Sequence, residues 1–125
     1  MVRTALIADA SAADRLSLRQ VLAAAGFAVV EAGDGMEAIA TLARQRFDVL
    51  VTDLWMPGAD GLAVIQSMRA LSYKAAIFVV TGGGPDMSIV SAATLAQVWG
   101  ARKIYVKPFA MDELLGEILA LFPPA

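Results

Sequence analysis

The sequence predicts an α/β domain: a doubly wound, five-stranded parallel sheet with strand order 2-1-3-4-5. Three observations carry this prediction. Five short apolar runs recur along the chain. Helical spacing of apolar residues separates them, and glycine, proline and aspartate mark the junctions. Strict β-α alternation requires crossover connections, hence a parallel sheet with helices on both faces. Right-handed crossovers leave few orders for five strands, and 2-1-3-4-5 is common at this length. All of residues 1–125 are read as a single domain, large enough to bury a core without staples.

The first strand is RTALIA (3–8), after which Leu18, Val21, Leu22 and Ala25 keep helical spacing up to Gly26. AVVEA (28–32) forms the second strand and is closed by Gly33-Asp34-Gly35. Ile39 and Leu42 then mark the second helix. VLVT (49–52) is the third strand. Pro57-Gly58 turns the chain, and Leu62, Ile65 and Met68 resume helical spacing. AIFVVT (76–81) is the fourth strand, followed by Gly82-Gly83-Gly84-Pro85 and a further helical segment ending at Gly100. In that segment Val98 and Trp99 read either as core or as part of an exposed partner patch. KIYV (103–106) is the fifth strand. Beyond Pro108, AMDELLGEILALF gathers Leu114, Leu115, Ile118, Leu119 and Phe122 on one side, with Asp112 placed to favour the helix N-terminus. Pro123-Pro124 ends it.

Composition removes several classes of function. The chain has no cysteine, which excludes disulfides, thiolate metal sites and cysteine nucleophiles. It has no histidine either, so the commonest general base is missing and no internal phosphohistidine can form. Ten basic against twelve acidic residues give a net charge of −2, with no basic footprint for nucleic acid. The apolar fraction is 58%, much of it alanine. The longest apolar stretch, residues 21–30, falls short of the ~20 residues a membrane span needs. The N-terminus does not read as a signal peptide. A soluble, cytoplasmic domain without membrane contact is expected.

In the predicted strand order, strands 1 and 3 are neighbours, and the topological switch point between them is where a ligand crevice opens. Asp9 ends strand 1, Asp53 ends strand 3, Thr81 ends strand 4 and Lys107 follows strand 5. Neighbouring strands lie ~4.8 Å apart, so the two carboxylates face each other across a short gap and need a cation or a proton to coexist. Oxygen-only ligands favour Mg²⁺. Any one of these residues alone reads as a cap or a loop residue. Together they supply a carboxylate nucleophile, an ammonium, a hydroxyl and the Gly82 N–H, a set suited to phosphoryl transfer onto an aspartate.

Over essentially its whole length the chain resembles the receiver domains of two-component response regulators, which have a flavodoxin-like fold. The residues that carry the resemblance are Asp53-x-x-Met56-Pro57-x-x-x-Gly61, Thr81-Gly82, Lys107-Pro108-Phe109 and the spacing from Asp9 to Arg15. The resemblance implies a signalling domain rather than an enzyme, catalysing at most its own phosphotransfer and aspartyl-phosphate hydrolysis. Asp53 would accept a phosphoryl group from a partner histidine kinase or histidine phosphotransfer protein. Asp9, Asp53 and the backbone carbonyl of Trp55 would hold Mg²⁺. Gly82 and Trp55 would border the phosphoryl group, Thr81 would swing towards it and Lys107 would pair with it. The bond between Lys107 and Pro108 would be cis. An unknown downstream protein would read the change.

This chain departs from the family pattern at three places. Receivers usually carry two acidic residues after the first strand; here the pair reads Asp9-Ala10, which predicts weakened metal binding, with Ser11 a poor substitute ligand. The aromatic switch position three residues before the lysine is Ile104, and Tyr105 faces the opposite side of the strand. The connection from Thr81 to Lys107 is several residues longer than usual, and its glycines are expected to reorder when Thr81 moves. The competing reading is a degenerate receiver, a phosphorylation-independent interaction module. Flavin-binding and phosphatase α/β folds are disfavoured: residues 82–84 fit neither GxGxxG nor a P-loop, and no second aspartate follows Asp53 closely.

Overall fold

In the computed structural model, residues 2–71, 74–82, 94, 97 and 99–123 are described. The strands are β1 (Thr4–Ala8), β2 (Ala28–Ala32), β3 (Val49–Thr52), β4 (Ala76–Thr81) and β5 (Lys103–Val106). The helices among the described residues are α1 (Ala12–Ala24), α2 (Gly35–Arg44), α3 (Gly61–Ala70) and the C-terminal α4 (Met111–Leu121). All neighbouring strands pair in parallel, in the order β2-β1-β3-β4-β5. The predicted order is the observed one. The helical segment expected between β4 and β5, with Gly83, Gly84, Pro85 and Val98, lies outside the described residues. Trp99, for which core and surface were both open, is 36% exposed.

Burial explains the strand sequences. The central β3 and β4 are buried at every position, and their β-branched and aromatic side chains fill both faces of the sheet. Alternate residues serve alternate faces. Leu6, Leu50, Ile77 and Val79 pack with Leu42, Val64, Ile65 and Met68 of α2 and α3. Ile7, Val51, Phe78 and Val80 pack with Leu18 and Leu22 of α1 and Leu114 and Ile118 of α4. Truncating any of these large side chains to alanine would cost about 2–5 kcal/mol.

Three of these helix starts are written into the chain before them. Ser11, Asp34 and Asp60 are the N-caps of α1, α2 and α3, and their side-chain oxygens accept from the amides of Asp14, Glu37 and Ala63. The C-terminal α4 has no side-chain cap, and Asp112 and Glu113 in its first turn complement the helix dipole instead. Two glycines allow contacts that no other residue permits. A Cβ on Gly35 would stand 1.8 Å from the Ala59 carbonyl oxygen, and one on Gly61 would stand 2.2 Å from that of Asp53. The starts of α2 and α3 therefore press directly on the β3–α3 connection, which contains the Met56-Pro57 pair.

Candidate functional site

Parallel pairing brings the carboxyl ends of four strands to one edge. Ala8 lies opposite Thr52, and Thr81 opposite Val106, so the next residues along, Asp9, Asp53 and Lys107, emerge together. Asp9 is 1% exposed, Asp53 8% and Thr81 1%, whereas Gly82 is exposed. The Lys107 N–H donates to the Thr81 carbonyl at 2.8 Å, which extends the β4–β5 ladder into the site. The peptide bond between Lys107 and Pro108 is cis, as the resemblance implied.

The two strand-end carboxylates are held by the same local device. Asp9 Oδ1 accepts from the Ser11 N–H at 2.9 Å, and Asp53 Oδ1 accepts from the Trp55 N–H at 3.1 Å. Each aspartate thus folds back on the amide two residues on, as Asx turns do. This leaves Oδ2 of each for Lys107, whose Nζ donates to Asp9 at 2.7 Å and to Asp53 at 3.1 Å. The ammonium supplies the cation that two facing carboxylates need. Burial pushes the Asp9 carboxyl above its ordinary value, against the opposing pull of Lys107 and the Ser11 amide, with the Asp53 charge adding to the rise. For Lys107 burial acts downward, but hydrogen bonds to Asp14, Asp9 and Asp53 outweigh it and hold the ammonium above the ordinary lysine value.

Asp14 is the site residue the sequence reading missed. It lies in the first turn of α1 and accepts from Lys107 Nζ at 2.8 Å through Oδ2. An acid three residues after an N-cap serine reads as a helix-start signal, and only the fold brings it to a lysine 93 positions away. Ser11, considered as a substitute metal ligand, is the α1 cap, with its hydroxyl accepting the Asp14 N–H. Arg15 braces the site from behind: Nη1 donates to the Asp9 carbonyl at 2.6 Å, while Nε pairs with Glu31 at 3.3 Å.

The donors present suit Mg²⁺ to a limited extent. Among the described residues no group of three acidic side chains is arranged to hold a metal ion. Mg²⁺ needs only one or two carboxylates and keeps several waters. Asp9 and Asp53 meet that requirement, and the Trp55 backbone is brought beside them by the hydrogen bond its N–H donates to Asp53. Ala10, where a further carboxylate would be expected, offers none.

On β5, Ile104 packs against the α2–α3 side of the sheet and the buried Tyr105 against the α1–α4 side, its ring tilted by 39° to that of Phe109 with centroids 5.2 Å apart. The aromatic ring therefore lies on the face opposite that of the expected switch position.

The family model described as response regulator receiver domain matches residues 5–119. Response regulator MprA of Mycobacterium leprae is 40% identical over 116 residues, which are 93% of this chain and 49% of that protein. The chain thus spans about half the length of the curated relatives it matches. A CheY-like receiver domain structure from Methanospirillum hungatei superposes with a TM-score of 0.86 at 23% identity, covering 97% of this chain and 94% of that one. TrrA of Thermotoga maritima, solved in complex with Mg(2+)-BeF, gives 0.81 at 27% identity and covers 96% and 99% of the two chains. Fold, strand-edge residues and family match agree: the chain belongs to the response regulator receiver domain family.

Proposed function

We propose that this chain is a phosphorylation-switched receiver in which Asp53 takes a phosphoryl group from the phosphohistidine of a kinase or phosphotransfer protein. The observation that carries the reading is the convergence of Asp9, Asp53 and Lys107 at the carboxyl ends of β1, β3 and β5. These 125 residues hold no histidine, so the phosphohistidine lies outside them. A carboxylate oxygen of Asp53 forms the new O–P bond as the donor's N–P bond breaks, and the leaving imidazole takes a proton from solvent. The chain's own contribution is positioning and charge neutralisation. The Trp55 amide fixes the rotation of the Asp53 carboxylate, and Lys107 supplies a permanent positive charge beside it. Bound Mg²⁺, held by Asp9, Asp53 and the Trp55 carbonyl, would neutralise further charge on the phosphoryl oxygens. With Ala10 in place of an acid, that site is expected to be weak.

Phosphorylation adds about one negative charge at Asp53 and three acceptor oxygens. Thr81, at the end of β4, and the neighbouring Gly82 amide would answer that change, and protein–protein contacts would carry the signal onward. The test is incubation with acetyl phosphate and Mg²⁺ followed by intact mass. A single phosphoryl gain in the wild type, lost in Asp53→Asn, is expected; no gain in the wild type refutes the reading. That second outcome favours the alternative suggested by Ala10, a degenerate receiver that binds its partner without phosphorylation.

A further inference from the structure

The receiver reading does not account for Asp14. Three carboxylates surround the Lys107 ammonium, which has three N–H donors, so Asp9, Asp14 and Asp53 use them all. The three bonds are unequal. Nζ lies 2.7 Å from Asp9 and 2.8 Å from Asp14, but 3.1 Å from Asp53. The lysine donates to the expected acceptor but sits closer to Asp9 and Asp14.

Local chemistry explains why Asp14 is available for this. An acid three residues after an N-cap serine would ordinarily reach back to the serine's own N–H, completing a capping box. Here that N–H is already taken by Asp9 Oδ1, while the Ser11 hydroxyl still caps the Asp14 amide. Asp14 is free of the capping box and turns its carboxylate to Lys107. Removing that carboxylate leaves the Ser11 cap of α1 in place, at the cost only of a first-turn charge.

We propose that Asp14 is a positioning residue that restrains Lys107 in the resting site and so opposes retention of an anion at Asp53. This rests on the receiver reading. The phosphoryl group must draw the ammonium towards Asp53, and every interaction that holds it at α1 acts against that. The Asp14 side chain is 45% exposed, which limits the effect to that of a solvent-screened pair, about two- to fivefold.

Two measurements test it. The first follows beryllofluoride affinity, with BeF₃⁻ as the phosphoryl mimic, in the wild type, Asp14→Asn, Asp14→Glu, Lys107→Met and the double variant Asp14→Asn/Lys107→Met. Asp14→Asn is expected to bind about two- to fivefold more tightly, Asp14→Glu to stay near wild type, and the Asn effect to vanish when Lys107 is methionine. Unchanged or weaker binding in Asp14→Asn overturns the proposal. So does a gain that persists without Lys107, since Asp14 would then act on the anion directly. The second measurement needs no phosphoryl chemistry: proton exchange of the Lys107 ammonium, resolved by ¹⁵N NMR. Faster exchange in Asp14→Asn is expected, and equal rates overturn the restraint. Failure of the receiver reading would look different: no beryllofluoride binding in the wild type, while the ammonium exchange still decides the role of Asp14.

Discussion

Gly61→Ala and Gly116→Ala make the same chemical change and should have opposite effects. At position 61 the added Cβ would meet the Asp53 carbonyl oxygen at 2.2 Å and the Leu54 Cα at 2.8 Å, where ordinary contact begins at 3.4 Å. The start of α3 would have to withdraw by about 1 Å, and both obstructing atoms belong to backbone that is buried. Overpacking of this kind costs about 1–3 kcal/mol, and the rigidity of the obstacle places it at the upper end. At about 2.1 cal/mol/K per residue, a domain of this length loses about 4 °C of melting temperature per kcal/mol, so a fall of about 12 °C is expected. Gly116 sits on the exposed side of α4, where an added Cβ would meet nothing within 4 Å. There alanine should add about 1 kcal/mol through helix propensity, a rise of about 4 °C. Thermal unfolding followed by far-UV circular dichroism reads both. A Gly61→Ala protein that melts within about 4 °C of wild type would refute the close-contact argument. The same variant should also accept phosphoryl groups from acetyl phosphate more slowly, because the displaced carbonyl belongs to Asp53 itself.

Three further outcomes are expected. Ala10→Asp should tighten Mg²⁺ binding, read from Trp55 fluorescence during titration; an unchanged affinity would show that the missing carboxylate does not limit the site. Lys107→Ala should bind beryllofluoride poorly and show little chemical-shift change along β5, whereas a wild-type response would remove the lysine from the mechanism. Burial, with the nearby Glu117 and Glu113 charges, holds the Tyr105 phenol above its ordinary 10.0. The unfolded chain therefore ionises first, and this contribution to stability is present below pH 10 and lost as pH rises beyond it. Tyr105→Phe should flatten the fall in melting temperature above pH 10, and a slope equal to wild type counts against the buried phenol as its source.

The sheet was legible because its signals are local. β2, β3, β4 and β5 have the predicted limits, and β1 differs only in starting at Thr4 rather than at residue 3. Apolar runs bounded by turn residues report burial directly, and the order of strands follows from connection handedness. Asp9, Asp53, Thr81 and Lys107 were found for a related reason: each ends or follows a strand, so locating the strands locates them. Asp14 had no such marker. Its role depends on a lysine far along the chain and on whether the Ser11 amide is already occupied, and neither can be read from spacing. The tight approaches at Gly35 and Gly61 were equally invisible, since a glycine in a sequence does not tell a demand for space from a demand for torsional freedom. Gly35 was read only as part of a breaker.

Those two approaches have a mechanical consequence. The segment that carries Asp53 is wedged between the starts of two helices, with backbone against backbone and no flexible side chain to yield. A Cβ at Gly82, next to Thr81, would meet nothing within 4 Å. The site therefore has one side, at β3, where backbone meets backbone, and another, beyond Thr81, where an added side-chain carbon would find room. Under the proposed phosphorylation, backbone retreat at β3 would meet the starts of α2 and α3, so the response is expected on the side of Thr81 and Lys107.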